Sequence, residues 1–579
     1  MDKLLSAAVP VVPLPATEKA KVDAHYLRGT LVEELQNSEP LFSKAAVGVL
    51  KFHGIYQQDD RDQRKAGNKT FSAMIRVGVP GGVLTPNQYL TLDRLSDLGE
   101  GTLRITTRQD IQYHHVPKSR LRELIQGLND SYLSTLAACG DVVRNVVSCP
   151  APFENEQRQE LYPIIQFLSQ KLKPQTTAYY DVWIDGERAA SAEEEPAGEV
   201  EPLYGPTYLP RKFKIGFSYA GDNTVDVYAN DVGIIPHYQD GQLASFTILA
   251  GGGMGQSAGI KASHPRLADA ICTIGPSADE LLEVCAAIVS IHRDFGNRTN
   301  RKLARLKYVM DEWGVPKFKQ ELENRVGRKL ADPEPLAWTR CDDYLGWHQQ
   351  GISKDGSPLW FVGVRIISGR IADYSDAQPI RTGLREIVQK YRPDVRLTCQ
   401  QNLYLSGIRE ADRSAITAML RNYGILEPES LPPVLRHAMA CPALPTCGLA
   451  ITESERIMPE VVAEIQAELT HAGLGDEIVH LRTSGCPNGC SRPYTAEIGI
   501  VGASIDMYTV YLGASPFGTR MGSLFAQNVK RHDIAPRLRP IIEHFRNDRH
   551  PAESFGDFCH RLGVDALREL STLPACAST

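Results

Sequence analysis

The chain has 579 residues, of which 42% are hydrophobic and 23% charged, and this length predicts three or four domains of an ordinary globular protein. Its formal net charge of −6 argues against a nucleic-acid-binding surface, and no apolar run is long enough to cross a membrane. Twelve cysteines are too few for a disulfide scaffold, so we expect reduced thiols in a cytoplasmic protein.

The N-terminal region is predicted to form an arm that wraps the other domains. Three prolines between residues 10 and 15 interrupt its apolar patch, and nothing in residues 18–60 suggests chemistry. A strand signal follows at residues 71–77, where Ile75 and Val77 would lie on one face and Arg76 on the other, before a Pro-Gly-Gly turn. From this pattern alone, Arg76 is a solvated charge on an edge strand.

Residues 101–115 predict a single strand with an unusual polar face. Alternation places Arg104, Arg108, Gln112 and His114 on one side and apolar residues on the other. Such a face is costly to bury unless an anionic group lies against it. We therefore expect an anionic ligand at this strand.

Two later segments suggest an anion site and a nucleotide site. Residues 209–217 predict a strand with Lys212 and Lys214 on one face, where the two ammonium groups repel each other unless an anion lies between them. Gly253 and Gly255 follow an apparent strand and resemble a dinucleotide-binding turn. No amphipathic helix begins at once, and Pro265 lies where one should be under way, so a nicotinamide or flavin site is not favoured.

The second half of the chain repeats part of the first. The segment RLTCQQNL, which begins at Arg396, resembles RITTRQDI, which begins at Arg104. Gln400 replaces Arg108 in this copy, so we expect it to hold less of a ligand's charge. The pattern indicates a duplicated unit.

Four cysteines in two close pairs predict an inorganic centre. Cys441 and Cys447 form the first pair, Cys486 and Cys490 the second, and the surrounding prolines and glycines indicate rigid loops. Structural zinc sites usually pair cysteines two to four residues apart, which the first pair exceeds, whereas iron–sulfur clusters accept varied spacings. An iron–sulfur cluster is favoured, with zinc, a disulfide or unrelated buried thiols as alternatives.

These motifs also carry a family resemblance. CPALPTCGLA, TSGCPNGCSRPYTAEIGIVG and YLGASPFGTR are similar to the sirohaem and 4Fe-4S half of the assimilatory sulfite reductase haemoprotein (beta component) family. The resemblance implies that Cys441, Cys447, Cys486 and Cys490 bind the cluster and that Cys490 is also the axial ligand of the sirohaem iron. It further implies a cofactor contact for Asn488.

The resemblance also assigns roles to the polar residues found above. It implies substrate-binding and catalytic roles for four basic side chains at the open face of the haem: Arg76, Arg144, Lys212 and Lys214. It implies sirohaem binding for the polar face of the strand: Arg104, Arg108, Gln112 and His114. The glycine turn at 251–255 would bring backbone amides close to the cofactor's carboxylates.

The fold implied by the resemblance is α+β, a duplicated nitrite/sulfite reductase fold with pseudo-twofold repeats. A ferredoxin-like "parachute" domain would be joined by two sirohaem-binding α/β domains. The expected boundaries are 1–73 for the N-terminal arm, 74–136 and 340–411 for the two ferredoxin-like half-domains, and 137–339 and 412–579 for the two sirohaem-type domains.

The implied function is the six-electron reduction of sulfite to sulfide in sulfur assimilation. The closest alternative is a sirohaem nitrite reductase, although the residues around Cys447 and Cys490 look like the sulfite branch. A structural or regulatory protein with a four-cysteine metal site is the non-enzyme alternative. No flavin or NADPH module is recognisable, so electrons are expected from a flavoprotein subunit or a ferredoxin, and neither a nucleic acid nor a membrane is expected as a partner.

Overall fold

The computed structural model describes residues 15–572 except 65–68, 155, 177–180, 185–186 and 192–200. The start of the predicted arm and Cys576 lie outside this part. Its strands are β1 (Ile55–Asp59), β2 (Phe71–Val77), β3 (Val83–Leu84), β4 (Leu103–Ile105), β5 (Ile111–Val116), β6 (Asp181–Ile184), β7 (Glu187–Ser191), β8 (Ile215–Phe217), β9 (Gly221–Asp222), β10 (Val232–Gln239), β11 (Gln242–Ala250), β12 (Asp269–Ile274), β13 (Trp338–Arg340), β14 (Gly346–Ile352), β15 (Pro358–Val364), β16 (Arg370–Ile371), β17 (Asp394–Leu397), β18 (Leu403–Arg409), β19 (Met439–Ala440), β20 (Leu481–Ser484), β21 (Ile498–Ser504), β22 (Met507–Leu512) and β23 (Ser523–Lys530).

Helices alternate with these strands along the described chain. They span Ala16–Asp23, Leu31–Gln36, Lys44–Leu50, Pro86–Leu95, Leu121–Asn129, Glu156–Lys171, Ala278–Phe295, Leu306–Val326, Ile380–Tyr391, Arg413–Asn422, Pro433–His437, Met458–His471, Ile534–Asp548, Phe555–Leu562 and Val564–Leu570. Local chemistry fixes their starts: Thr85 and Gln88 form a capping box before Pro86, and Ser277 caps the helix that begins at Ala278. No helix in this part is long and apolar enough to span a membrane.

Two five-stranded sheets exchange strands across the duplication. The first sheet has the order β1-β2-β5-β4-β16 and the second β14-β15-β18-β17-β3. Each sheet therefore ends with a two-residue strand from the other repeat. Each exchanged strand directly follows a one-turn 3-10 helix, and the last residue of that helix is a glycine with positive φ: Gly82 before β3 and Gly369 before β16. This reciprocal exchange is the pseudo-twofold relation that the repeat predicted.

The prediction of one strand over residues 101–115 was wrong. The structure contains a hairpin of β4 and β5, joined by a tight turn in which the Thr106 N–H donates to Asp110 O and Gln109 has a φ of 58°. Arg104 and Gln112 nevertheless lie on the same face of the sheet, as predicted, because they are cross-strand partners. Arg108 lies at the tip of the turn rather than within a strand.

The two remaining large sheets lie in the segments that the sequence predicts as sirohaem-type domains. One has the order β12-β11-β10-β8 and the other β19-β20-β21-β22-β23. Both contain parallel pairs, β8 with β10 in the first and β19 with β20 and β20 with β21 in the second. A separate apolar cluster fills the last domain and packs the helices at 458–471 and 534–548 against its sheet.

Candidate functional site

Parallel strands bring the two cysteine loops together. Cys441 directly follows β19 and Cys486 follows β20, so both lie at the carboxyl ends of neighbouring strands. The Gly485 N–H donates to Cys441 Sγ at 3.3 Å. A Cβ at Gly485 would lie 2.5 Å from Thr452 O, so this loop has no space for a side chain.

The four thiols lie close enough to influence one another. Burial raises the pKa of Cys441 to about 12 and the pKa of Cys447 and of Cys486 to about 11, and Cys490 adds to each increase. Buried thiols of this kind ionise when a cation compensates their charge. No three of these described sulfurs lie within 4.8 Å of one another, whereas tetrahedral zinc brings its sulfur ligands to about 3.8 Å. The donor set fits a 4Fe-4S cluster, in which each thiolate binds a different iron, better than zinc.

The second cysteine loop rests on the glycine turn of the first sirohaem-type domain. The Gln256 N–H donates to Pro487 O at 2.9 Å, and Asn488 Nδ2 lies 3.4 Å from Cys486 Sγ. A Cβ on Gly252 would meet Tyr228 O at 2.1 Å, so glycine is required here for close backbone approach. The next helix begins at residue 278, which excludes the dinucleotide interpretation, as expected.

Arg492 joins the Cys490 loop to three other segments. Its Nε donates to Asp226 Oδ2 at 2.5 Å, its Nη1 to Thr107 O at 3.1 Å and its Nη2 to Cys399 O at 2.9 Å. Thr107 Oγ1 in turn donates to Cys490 O at 3.0 Å. The loop is therefore fixed by both half-domain turns and by the first sirohaem-type domain.

A row of polar side chains crosses the first half-domain sheet. Arg76 on β2 is opposite Gln112 on β5, Gln112 is opposite Arg104 on β4, and Arg104 is opposite Arg370 on β16. Cross-strand partners share one face of a sheet. The polar face predicted from the sequence therefore exists, with Arg76 as an additional member.

Two of the three guanidinium nitrogens of Arg104 already bind protein groups. Its Nε pairs with Glu455 at 3.0 Å and its Nη2 donates to Ala440 O at 2.9 Å, directly before Cys441. Glu455 also pairs with Arg370 at 2.9 Å. Within the described residues these contacts leave one guanidinium nitrogen of Arg104, Nη1, without a partner, so Arg104 holds the cluster loop in position.

Arg76 lies among ionisable groups that the sequence did not reveal. Its Nη1 lies 2.7 Å from Cys139 Sγ, and the amide oxygen of Gln112, oriented toward it, accepts from Nη2 at 2.6 Å. Asp110 lies 4.0 Å away. Burial raises the pKa of Asp110 to about 7, although the neighbouring arginines oppose this increase, and burial together with Cys139 raises the pKa of Tyr56 to about 12.

Some of the unpartnered buried polar atoms of the described residues belong to this polar row and the adjoining turn. Both ring nitrogens of His114 and the Nε of Arg108 have no hydrogen-bond partner, although the residues are 2% and 8% exposed. The other two nitrogens of Arg108 donate to Asn230 Oδ1 and to the Asn145 and Ile215 carbonyls. Burial and the surrounding arginines hold the pKa of His114 well below its usual range.

A cluster of cations completes the site. Lys212 and Lys214 flank Phe213, and Arg144 is joined to the same segment because its N–H donates to Phe213 O at 2.9 Å. Neither lysine ammonium has a carboxylate partner among the described residues. Burial, and then the neighbouring cations, hold the pKa of each lysine well below its usual range, whereas Cys490 acts in the opposite direction on both. Cys490 and these lysines therefore share one electrostatic environment.

These observations fit an anionic tetrapyrrole beside a cluster. Lysines without an anionic partner and unpartnered ring nitrogens favour a polyanionic ligand, and buried thiols that raise one another's pKa favour a metal centre. The residues that sequence reasoning missed act mainly by positioning: Asp110, Cys139, Asp226, Glu455 and Arg492. Arg492 was visible as part of the Cys-Ser-Arg-Pro motif, but its three acceptors come from distant segments and left no local signal.

Comparisons with known proteins identify the family. Residues 166–330 match the family description "Nitrite and sulphite reductase 4Fe-4S domain", a range that precedes the four cysteines. Residues 64–131 and 352–423 match "Nitrite/Sulfite reductase ferredoxin-like half domain". The chain belongs to the nitrite and sulfite reductase family. The two half-domain matches confirm the duplicated fold.

Relatives match along almost the whole chain. It is 42% identical to the sulfite reductase (ferredoxin) of Synechococcus elongatus, covering 96% of this chain and 91% of the relative. It is also 42% identical to the sulfite reductase (NADPH) hemoprotein beta-component of Chromohalobacter salexigens, covering 96% of each. The solved structure of Mycobacterium tuberculosis NirA protein has a TM-score of 0.75 and 25% identity, covering 96% of this chain and 98% of that one.

Membership of this family confirms several expectations from the sequence. The resemblance to the sulfite reductase haemoproteins, the enzyme class and the pair of cofactors, sirohaem and a 4Fe-4S cluster, are confirmed. The roles of the individual residues and the domain boundaries stay predictions.

Proposed function

We propose that this protein reduces sulfite to sulfide in sulfur assimilation, at a sirohaem coupled through Cys490 to a 4Fe-4S cluster. Bisulfite takes up six electrons and seven protons and gives hydrogen sulfide and three waters. When bound, the two cofactors supply redox iron and stored electrons. The observation that carries this proposal is the lysine pair, Lys212 and Lys214, which have no carboxylate partner among the described residues and share an electrostatic environment with Cys490.

We assign the anion to the basic residues of this site. Charge-assisted hydrogen bonds from Arg76, Arg144, Lys212 and Lys214 would neutralise sulfite and polarise its S–O bonds. Each oxygen leaves as water, so protons must be supplied as the bonds break. Because burial lowers the pKa of Lys212 and Lys214, their ammonium groups release protons more readily than an ordinary lysine.

The cofactor assignments follow the same geometry. We propose Cys441, Cys447, Cys486 and Cys490 as the cluster ligands, with Cys490 shared by the sirohaem iron. We also propose Arg108 and His114, whose buried Nε and ring nitrogens have no partner, as cofactor ligands, together with Gln112, which contacts Arg76, and Asn488, which contacts Cys486. Arg104 contributes chiefly through the position of the loop at Cys441.

We propose that electrons arrive from a separate donor protein, a ferredoxin or a flavoprotein. The names of the relatives include a ferredoxin-dependent and an NADPH-dependent enzyme. A cytoplasmic location agrees with the described cysteines, all of which are free thiols.

A viologen-coupled assay of sulfide production tests the proposal. Lys212→Met and Lys214→Met should leave the visible spectrum intact and lower kcat/KM for sulfite by about 100-fold or more, because each removes a donor to developing charge. Lys354→Met, at an exposed lysine, is the matched control. Unchanged turnover in Lys212→Met and Lys214→Met would remove the lysines from the mechanism, and a wild-type preference for nitrite over sulfite would overturn the substrate.

A further inference from the structure

The last domain contains a second polar pocket at the position equivalent to the lysine cluster. The Lys214 N–H donates to Asp231 Oδ2 at 2.9 Å and its carbonyl accepts from Val232. The His480 N–H donates to Glu497 Oε2 at 2.9 Å and its carbonyl accepts from the residue after Glu497. His480 is therefore the counterpart of Lys214 in the duplicated fold.

Metal-binding side chains surround His480. Its Nε2 lies 2.7 Å from Asp342 Oδ1 and 3.8 Å from Cys341 Sγ, and the three ligand atoms all lie within 4.8 Å of one another. His437 Nδ1 lies 3.0 Å from the same Asp342 oxygen. We propose that Cys341, Asp342 and His480 bind one divalent transition-metal ion of the zinc class, and that His437, which lies outside this 4.8 Å group but beside Asp342, turns toward the ion as the fourth ligand.

The distances among Cys341, Asp342 and His480 suit tetrahedral coordination after a small expansion, whereas His437 must also move closer to Cys341 and His480. Around zinc, nitrogen and sulfur ligands lie about 3.6 Å apart and nitrogen and oxygen ligands about 3.4 Å apart. The observed nitrogen–sulfur separation is already close to this value, and the nitrogen–oxygen contacts must open by about 0.5 Å. A thiolate, a carboxylate and two imidazoles are a donor set that zinc accepts.

An outer carboxylate orients the histidine as metal sites require. Glu497 Oε2 lies 2.8 Å from His480 Nδ1, which directs Nε2 toward Cys341 and Asp342. Glu497 is itself fixed, because its other oxygen accepts from the Gly556 N–H at 2.8 Å. Carboxylates that hold a ligating histidine in this way are typical of zinc sites.

A cavity gives the ion space to reach these ligands. Its volume is about 510 Å³, and Cys341, Asp342 and His480 lie in its wall together with the carboxylates of Glu477 and Glu553. Cys341 and Asp342 lie between β13 and β14, at the start of the expected second half-domain, whereas the two histidines belong to the last domain. A bound ion would therefore tie these two parts of the chain together.

Zinc binding to the intact holoenzyme tests this site. After dialysis against EDTA, the protein is equilibrated with zinc chloride, gel-filtered and measured for zinc and iron by mass spectrometry. We expect one zinc per chain, with an X-ray absorption spectrum at the zinc edge showing one sulfur at about 2.3 Å and nitrogen or oxygen at about 2.0–2.1 Å. Cys341→Ala and His437→Gln should each weaken zinc affinity by more than about 100-fold, beyond the usual effect of losing an outer partner.

Matched variants decide the result. Cys272→Ala removes a buried thiol elsewhere and His532→Gln an exposed histidine, and both should retain zinc with wild-type affinity. Glu497→Gln should weaken binding by about 10–100-fold. The proposal is overturned if the wild type retains no zinc, if Cys341→Ala and His437→Gln retain it equally well, or if the spectrum shows four sulfur ligands, which would place zinc at the cluster cysteines.

Discussion

Replacing Arg492 with glutamine should loosen the Cys490 loop and destabilise the holoenzyme. Arg492 provides three hydrogen bonds, one to a buried carboxylate and two to backbone carbonyls. Removing one partner of a buried ion pair costs about 3–5 kcal/mol. Asp226 retains its other contact, with Arg482 at 2.5 Å, so we expect about 3 kcal/mol, the lower end of that range.

Denaturant unfolding of the holoenzyme measures this loss, and the sirohaem absorption reports whether the surroundings of the iron, where we propose Cys490 as a ligand, have changed. We expect a lower unfolding midpoint together with a changed visible spectrum. Arg421→Gln is the control, because Arg421 pairs with Glu427 at the surface and should change stability by less than about 1 kcal/mol. Wild-type stability and spectrum in Arg492→Gln would refute the view that this side chain holds the loop.

Three further predictions address the cluster loop and the pH dependence. Glu455→Gln should lower the free energy of unfolding by about 3–5 kcal/mol, because Arg104 and Arg370 share this carboxylate. Glu410→Gln, which removes the carboxylate of an exposed ion pair, is the control. Equal losses of stability in the two variants would contradict the role of Glu455 as a shared partner. Gly485→Ala should reduce the iron and acid-labile sulfide content, because its Cβ would meet Thr452 O. Gly448→Ala is the control, because no atom lies within 4 Å of its Cβ, and it should retain its iron and sulfide. Full iron content in Gly485→Ala would argue against a tight loop. Burial raises the pKa of Asp110 to about 7 in the folded state, above its unfolded value of about 3.9, so the contribution of Asp110 to the free energy of unfolding falls as pH rises between these values. Between pH 5 and pH 8, the free energy of unfolding of Asp110→Asn should therefore rise by about 2–3 kcal/mol relative to that of the wild type. Parallel curves of stability against pH for the two proteins would exclude this titration.

Local patterns were sufficient to predict the polar face of the first half-domain sheet. Alternation identified the polar face, since side chains of neighbouring strands repeat every two residues whether the segment is one strand or a hairpin. The same pattern could not reveal the turn at Gln109, because a left-handed φ at a glutamine has no reliable sequence signal. Arg108 was therefore placed on the wrong kind of element, and its role at the site stays a prediction.

The sequence by itself determined which residue types are available to bind an anion or a metal centre, and that part of the chain is duplicated. The spacing of the four cysteines, the paired lysines and the repeated segment are all local features that can be read without the fold. Only the tertiary structure decided how these parts are held. Arg104 meets Glu455 across 351 residues and Arg492 meets Asp226 across 266, and the two half-domain sheets exchange strands. Contacts over such separations depend on how whole domains pack, and a charged residue in the sequence does not specify its partner.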